Sequence, residues 1–116
     1  MKITSFEEII AWQKAKQMTI EIYHLFTTNK DYGFRDQIQR AAVSVMNNIA
    51  EGFERKGNKE FKNFLFIAKG SCAEVRSMVH LAVNLNYISQ SAADNLFYKS
   101  EEIAKLLSGF IKSLSA

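Results

Sequence analysis

Residues 61–75 read Phe61-Lys62-Asn63-Phe64-Leu65-Phe66-Ile67-Ala68-Lys69-Gly70-Ser71-Cys72-Ala73-Glu74-Val75. Phe61, Phe64, Leu65, Ala68, Cys72 and Val75 follow one another at intervals of one, three and four residues, the period of a helix that buries one side. The pattern runs on through Val79 and Ala82 and predicts a helix from Lys59 to about Asn86, roughly 40 Å long at 1.5 Å per residue. Gly57 and Asn58 ahead of it offer a left-handed stop and a cap.

The same period is present on both sides of this stretch. Helix 1 is expected from about Phe6 to Phe26, opened by Ser5 with Glu8 in a capping box and burying Ile9, Trp12, Ala15, Thr19, Ile22 and Phe26. Thr28 to Gly33 is turn chemistry. Helix 2 then runs from Phe34 to about Arg55 with Phe34, Ile38, Ala41, Ala42, Val45, Ile49 and Phe53 inward. A break at Tyr87-Ile88-Ser89 precedes helix 4, with Ser91 and Asp94 as start signals and Leu96, Phe97, Ile103, Leu107, Phe110 and Leu114 as its seam. Short loops favour antiparallel neighbours, so the expected architecture is all-α, an antiparallel up-down-up-down four-helix bundle. With 116 residues, no proline, five glycines and no linker or repeat, one domain spanning 1–116 is expected. A domain of this size buries a real core, though a modest one that partner chains could complete.

Composition narrows the function. The sequence is 47% hydrophobic and 23% charged, which suits a folded globular chain rather than a disordered tail. Cys72 is the only cysteine, so no intrachain disulfide can form, which fits a reducing cytoplasm. The first residues lack the apolar stretch of a signal peptide, and the longest apolar run, Phe64 to Ala68, is too short for a bilayer; a cytoplasmic, non-membrane protein is expected. The two histidines, His24 and His80, lie on different helices, and no Glu-x-x-His, phosphate loop or nucleophile elbow occurs. Cys72 sits on the core stripe, where a thiol packs, and Glu51 and Glu60 stand out from other surface carboxylates in no way. No enzyme, metal or cofactor is expected.

The net charge of +3 is unevenly spread: residues 30–76 hold nine basic and six acidic side chains, and the ends balance at six against six. A polyanion is therefore expected to meet the middle of the chain. On helix 3, Lys62, Lys69 and Arg76 recur every seven residues, with Lys59, Phe66 and His80 beside them. Such a ridge either tracks a phosphate backbone, with Phe66 for base stacking, or is simply a solvated face. Another face of helix 3 carries Ile67, Gly70, Ser71, Glu74, Met78 and Leu81, which needs covering by a neighbouring helix or by a second subunit. Helix 2 gathers Gln37, Arg40, Ser44, Asn47, Asn48, Glu51 and Arg55 into a polar stripe. Ser44, Asn47 and Asn48 are poor choices for an exposed helix interior and suggest a hydrogen-bonded contact, while Arg40 and Glu51 buried between subunits would serve specificity.

Tyr32-Gly33-Phe34-Arg35-Asp36-Gln37-Ile38-Gln39-Arg40-Ala41-Ala42-Val43-Ser44-Val45, continued by Asn48-Ile49-Ala50-Glu51-Gly52-Phe53, resembles the signature of a bacterial four-helix-bundle family. That family is named for the protein encoded in intervening sequences of large-subunit ribosomal RNA genes. Lys59-Glu60-Phe61, Phe64-Leu65, Ile67-Ala68-Lys69-Gly70-Ser71 and Glu74-Val75 are similar to its third-helix pattern, and the likeness spans nearly the whole chain, from Trp12 and Tyr23 to Tyr87. Gln39 stands where a second arginine is usual, and Met46-Asn47 where Pro-Ser is common, which leaves helix 2 without a proline bend. The resemblance implies a protomer that assembles into a ring, typically a homopentamer, with a basic surface suited to nucleic acid. A related branch serves as an accessory to a reverse transcriptase.

These readings converge on a non-enzymatic homo-oligomer associated with RNA or DNA. Arg35, Arg55, Lys56, Lys59, Lys62, Lys69 and Arg76 are the candidate phosphate contacts. Gln37, Arg40, Ser44, Asn47, Asn48, Glu51, Ile67, Gly70, Glu74, Met78 and Leu81 are the candidate oligomer interface. The alternative is a scaffold that docks a larger protein partner and has no direct nucleic-acid role.

Overall fold

The four apolar stripes find one another. A computed structural model describes residues 2–115 and contains α1 (Ile10–Phe26), α2 (Tyr32–Glu54), α3 (Asn58–Asn84) and α4 (Gln90–Leu114), preceded by one 3-10 turn at Phe6–Glu8. No strand occurs among the described residues. Helix α1 packs on α2, α2 on α3 and α3 on α4, and α4 closes back on α1, while the diagonal pairs stay apart. This is the expected antiparallel up-down-up-down four-helix bundle, 44 × 21 × 19 Å. Its long axis matches the span of α3, about 40 Å.

The core is a continuous column. Met18, Ile22 and Phe26 of α1, Ile38, Val45 and Ile49 of α2, Leu65, Val75 and Val79 of α3, and Leu96, Ile103 and Leu107 of α4 are all fully buried. Two polar side chains share that interior and are satisfied there: Thr19 Oγ1 donates to the Ala15 and Ala42 carbonyls at 2.7 and 3.2 Å, and Ser100 Oγ to the Phe97 carbonyl at 3.1 Å. An unpaired hydroxyl at such depth costs about 1–3 kcal/mol, so these bonds hold register as well as energy.

Several sequence expectations need correction. Helix 1 does not run unbroken from Phe6, because the chain makes a 3-10 turn and goes extended at Ile9 before α1 begins. The Ser5 side chain caps nothing; Glu8 instead accepts from the Thr4 N–H and hydroxyl at 3.0 and 2.9 Å. Those bonds hold the Glu8 carboxyl below its usual range. Helix α2 starts at Tyr32 rather than Phe34, since Asp31 is its N-cap, accepting from Phe34 N at 3.2 Å. Gly57 (φ 91°) is the stop before α3, but Asn58 is already helical and caps nothing. Ser89 rather than Ser91 caps α4, accepting from Ala92 N at 3.1 Å, and Asp94 accepts from the Gln90 side chain. Trp12, Phe53, Phe64, Phe97, Phe110 and Leu114 are half-buried at the edges of their stripes, whereas Ala11, Met18, Ala93, Ser100 and Ile111 go fully or nearly fully inside.

Helix α3 ends two residues earlier than expected. Asn86 adopts φ 61°, its N–H returns to the Val83 carbonyl at 3.0 Å, and the Tyr87 N–H returns to Ala82 at 2.8 Å, a Schellman ending with asparagine in the left-handed position. Tyr87 then reaches the opposite turn, where its hydroxyl donates to Asp31 Oδ2 at 2.6 Å and its ring edges Phe34 at 5.2 Å. The phenol and the capped Phe34 N–H lower the Asp31 carboxyl, and the carboxylate raises the Tyr87 phenol. Both turns at this end of the bundle are thereby tied together.

Candidate nucleic-acid interface

Lys62, Lys69 and Arg76 are spaced by seven on α3, a separation of about 10 Å per step along the helix axis. Their edge lies at the seam with α4. Lys62 Nζ donates to Ser115 Oγ at 3.3 Å, and His80, one turn past Arg76, lies against Phe97 with centroids 4.5 Å apart. Among the described residues, none of Lys59, Lys62, Lys69 and Arg76 has a carboxylate within ion-pairing distance. The two acids of α3 account for part of this: Glu74 faces α2, where it accepts from Gln37, and Glu60 stands in the first turn.

The other three candidate cations differ. Arg55 pairs with Glu51 at 3.2 Å and lies over the Phe64 ring at 5.1 Å, and Lys56 is exposed in the α2–α3 turn, so both stand at the Lys59 end of the ridge. Arg35 is separated from them by almost the whole of α2, about 30 Å, and is occupied by Asp36 at 3.1 Å and the Tyr32 ring at 4.8 Å. The fold thus sets six of the seven along α3 and the turn before it; Arg35 lies on α2, level with the Arg76 end of the ridge, since Gln37 meets Glu74 there.

The candidate interface residues come together across the α2–α3 seam. Gln37 Nε2 donates to Glu74 Oε2 at 2.5 Å, Ser44 and Ser71 hydroxyls meet at 2.8 Å, and Asn48 Nδ2 donates back to the Ser44 carbonyl and hydroxyl at 2.8 and 3.0 Å. The hydrogen bonding expected of this polar stripe is therefore made in part within the chain, by α3. What α3 covers is only the inner margin. Ile67 and Leu81 remain 52% and 47% exposed, Arg40, Asn47, Glu51 and Gly70 are exposed, and Met78 is half-buried against the core.

The seam is close because Gly52 permits it: a Cβ there would stand 2.6 Å from Phe64 Cβ and 3.0 Å from Phe61 Cδ1. A methyl at Gly70 or Gly109, also inside helices, would meet nothing within 4 Å. Gly109 borders an open apolar groove of roughly 730 Å³ between α1 and α4, with Ile3, Ile10, Leu106 and Phe110 in its wall. Sequence reasoning passed over this groove, and the unexplained mid-helix Gly109 is the signal that could have found it.

Cys72 is buried against α4 and donates to the Ser100 carbonyl at 3.1 Å. Burial pushes its thiol up to about 11, with Arg76 and the Ala104 backbone pulling weakly the other way. A thiol so protonated is a packing group. No group of three histidine, cysteine or carboxylate side chains among the described residues is placed to hold a metal, and no helix of those residues is long and apolar enough to cross a membrane.

The four-helix fold is shared with a known protein, and most of the chain matches a known family. The family model described as the 23S rRNA-intervening sequence protein matches residues 7–109. The chain belongs to that family. A crystal structure from Bacteroides thetaiotaomicron, of a protein with unknown function from the S23 ribosomal protein family, superposes with a TM-score of 0.83 at 26% identity, covering 89% of this chain and 99% of that one. No curated protein matches the sequence. The intervening-sequence family thus supplies the fold and a kinship, and the chemistry must be read from the side chains above.

Proposed function

We propose that this member of the intervening-sequence family is a non-enzymatic, homo-oligomeric helical module, a ring of bundles and, as the resemblance implies, a pentamer, whose basic α3 edge associates with RNA or DNA. The observation that carries the reading is the row Lys59, Lys62, Lys69 and Arg76, four cations on one edge of one helix without a carboxylate partner among the described residues. Cations paired inside a fold have little left for an external anion. Unpaired ones at regular spacing release counterions from a polyphosphate when they bind it. A gel shift of the purified chain with RNA and with DNA tests this: a shift at low ionic strength that disappears as salt rises is expected, and no shift of either polymer defeats the reading.

Self-association draws on the outer margin of the α2–α3 seam, where Ile67 and Leu81 stand exposed beside Arg40, Asn47 and Glu51. Light scattering should find a multiple of the protomer mass, reduced by Ile67→Glu with Leu81→Glu. A lone protomer at high concentration would contradict it.

The apolar groove between α1 and α4 favours a second reading, a scaffold that docks a larger protein partner. In that case charge reversal at Lys62 and Lys69 leaves partner capture intact.

A further inference from the structure

Of the nine phenylalanines, eight are buried or half-buried and Phe66 alone is exposed, at 56%. It takes part in none of the aromatic pairs of the fold. Tyr23, Tyr32 and Tyr98 are also exposed, but each has a hydroxyl that water can solvate; Phe66 has only a ring. Its position on α3 is four residues after Lys62 and three before Lys69, so both cations are its immediate neighbours on the helix surface, about 5–6 Å away between Cβ atoms. The next turn along the same line is Gly70, where even a methyl group would meet nothing within 4 Å. Glycine inside an exposed helix costs about 1 kcal/mol relative to alanine, and no contact within this chain calls for it. The result is a bare aromatic face with open ground beside it and, on either side, an ammonium with no carboxylate partner among the described residues.

We infer that the basic edge of α3 takes single-stranded nucleic acid, with one base stacked on Phe66 over the open surface at Gly70 and the flanking phosphates on Lys62 and Lys69. The inference rests on the polyanion reading above and narrows it. A duplex keeps its base faces inside, so it can use the lysines and has no use for the ring. A single strand can splay a base onto an aromatic side chain while its backbone follows a positive groove or edge, and such stacking tolerates any base. The shared chemistry is a base face between two phosphates, which RNA and DNA strands both present.

The test uses the full chain and fluorescence anisotropy at low salt with labelled oligouridylate, oligothymidylate and a blunt-ended duplex. Phe66→Leu keeps apolar bulk and removes the π face; Phe66→Trp keeps the face. Single strands should bind more tightly than the duplex. Phe66→Leu should weaken single-strand binding about 5- to 150-fold and leave duplex binding unchanged, while Phe66→Trp keeps the wild-type preference. Whichever of the two strands binds more tightly names the source. Indifference to Phe66→Leu, or an equal loss on strand and duplex, overturns the stacking and leaves the polyanion reading in place. Failure of all three probes to bind the wild-type chain removes both.

Discussion

The two flanks of α3 have opposite economies. Towards α2, Ser71 meets Ser44, Glu74 meets Gln37, and Gly52 lets the backbones approach until Phe64 fills the gap. Towards α4, among the described residues Lys62 finds only the Ser115 hydroxyl, and Lys69 and Arg76 have no carboxylate in reach. One flank spends its polar groups on holding the bundle, and the other leaves its charges for something outside. Substitutions on the first should therefore move stability, and substitutions on the second should move binding.

The largest effect is expected at the tightest point. Gly52→Val puts side-chain atoms where Phe64 and Phe61 already stand, so α2 and α3 must separate, at a cost of about 3 kcal/mol in urea denaturation. A midpoint equal to wild type would show that the flank is not closely packed. Next comes Cys72, which lies between the two flanks. Its folded pKa is raised from 9.0 to about 11, so the folded chain keeps a proton that the unfolded chain releases. The stability it lends is whole below pH 9 and is lost as pH rises towards 11, on the order of 2 kcal/mol by linkage. Tyr87 falls in the same direction, because Asp31 raises its phenol. The comparison of wild type with Cys72→Ala across this window isolates the thiol: the variant should show the flatter curve, and parallel curves would argue against a buried, protonated sulfur.

Smaller effects divide the flanks more finely. Ser71→Ala removes the hydroxyl bridge to Ser44 but leaves Ser44 its bond from Asn48, so a loss of about 1 kcal/mol is expected in the same denaturation assay. Gly70→Ala adds a methyl into open space and should stabilise the fold by about 0.5–1 kcal/mol, the reverse of the Gly52 result. A destabilised Gly70→Ala would mean that another chain already packs over that turn.

Much of this was legible in the residues alone. The apolar stripes named the four helices and most of the core because burial imposes one period along the whole chain, so each of many residues votes for the same answer. The helix starts were less legible because several side chains compete for each cap. Thr4 and Ser5 both precede the first turn, and Ser89 and Ser91 flank the start of the last helix; which one caps depends on where the backbone goes extended. The partners of Ser44 and Gln37 could not be named from period, since a stripe gives a direction and not the helix that stands there. For the same reason the covering of α3 stayed open between a neighbouring helix and a second subunit. Arg35 enters the basic group through local charge excess, which says nothing of its place on α2 or of the Asp36 carboxylate and Tyr32 ring that occupy it.

The central claim, that the unpaired edge of α3 is a polyanion contact, is tested most directly by the slope of binding affinity against salt. With about four phosphates neutralised on a single strand, the logarithm of the affinity should fall with the logarithm of salt concentration at a slope of about −3. Lys62→Glu with Lys69→Glu should roughly halve that slope and leave the denaturation midpoint where it was. Absence of binding at low salt, or a slope unmoved by the double reversal, would contradict the account.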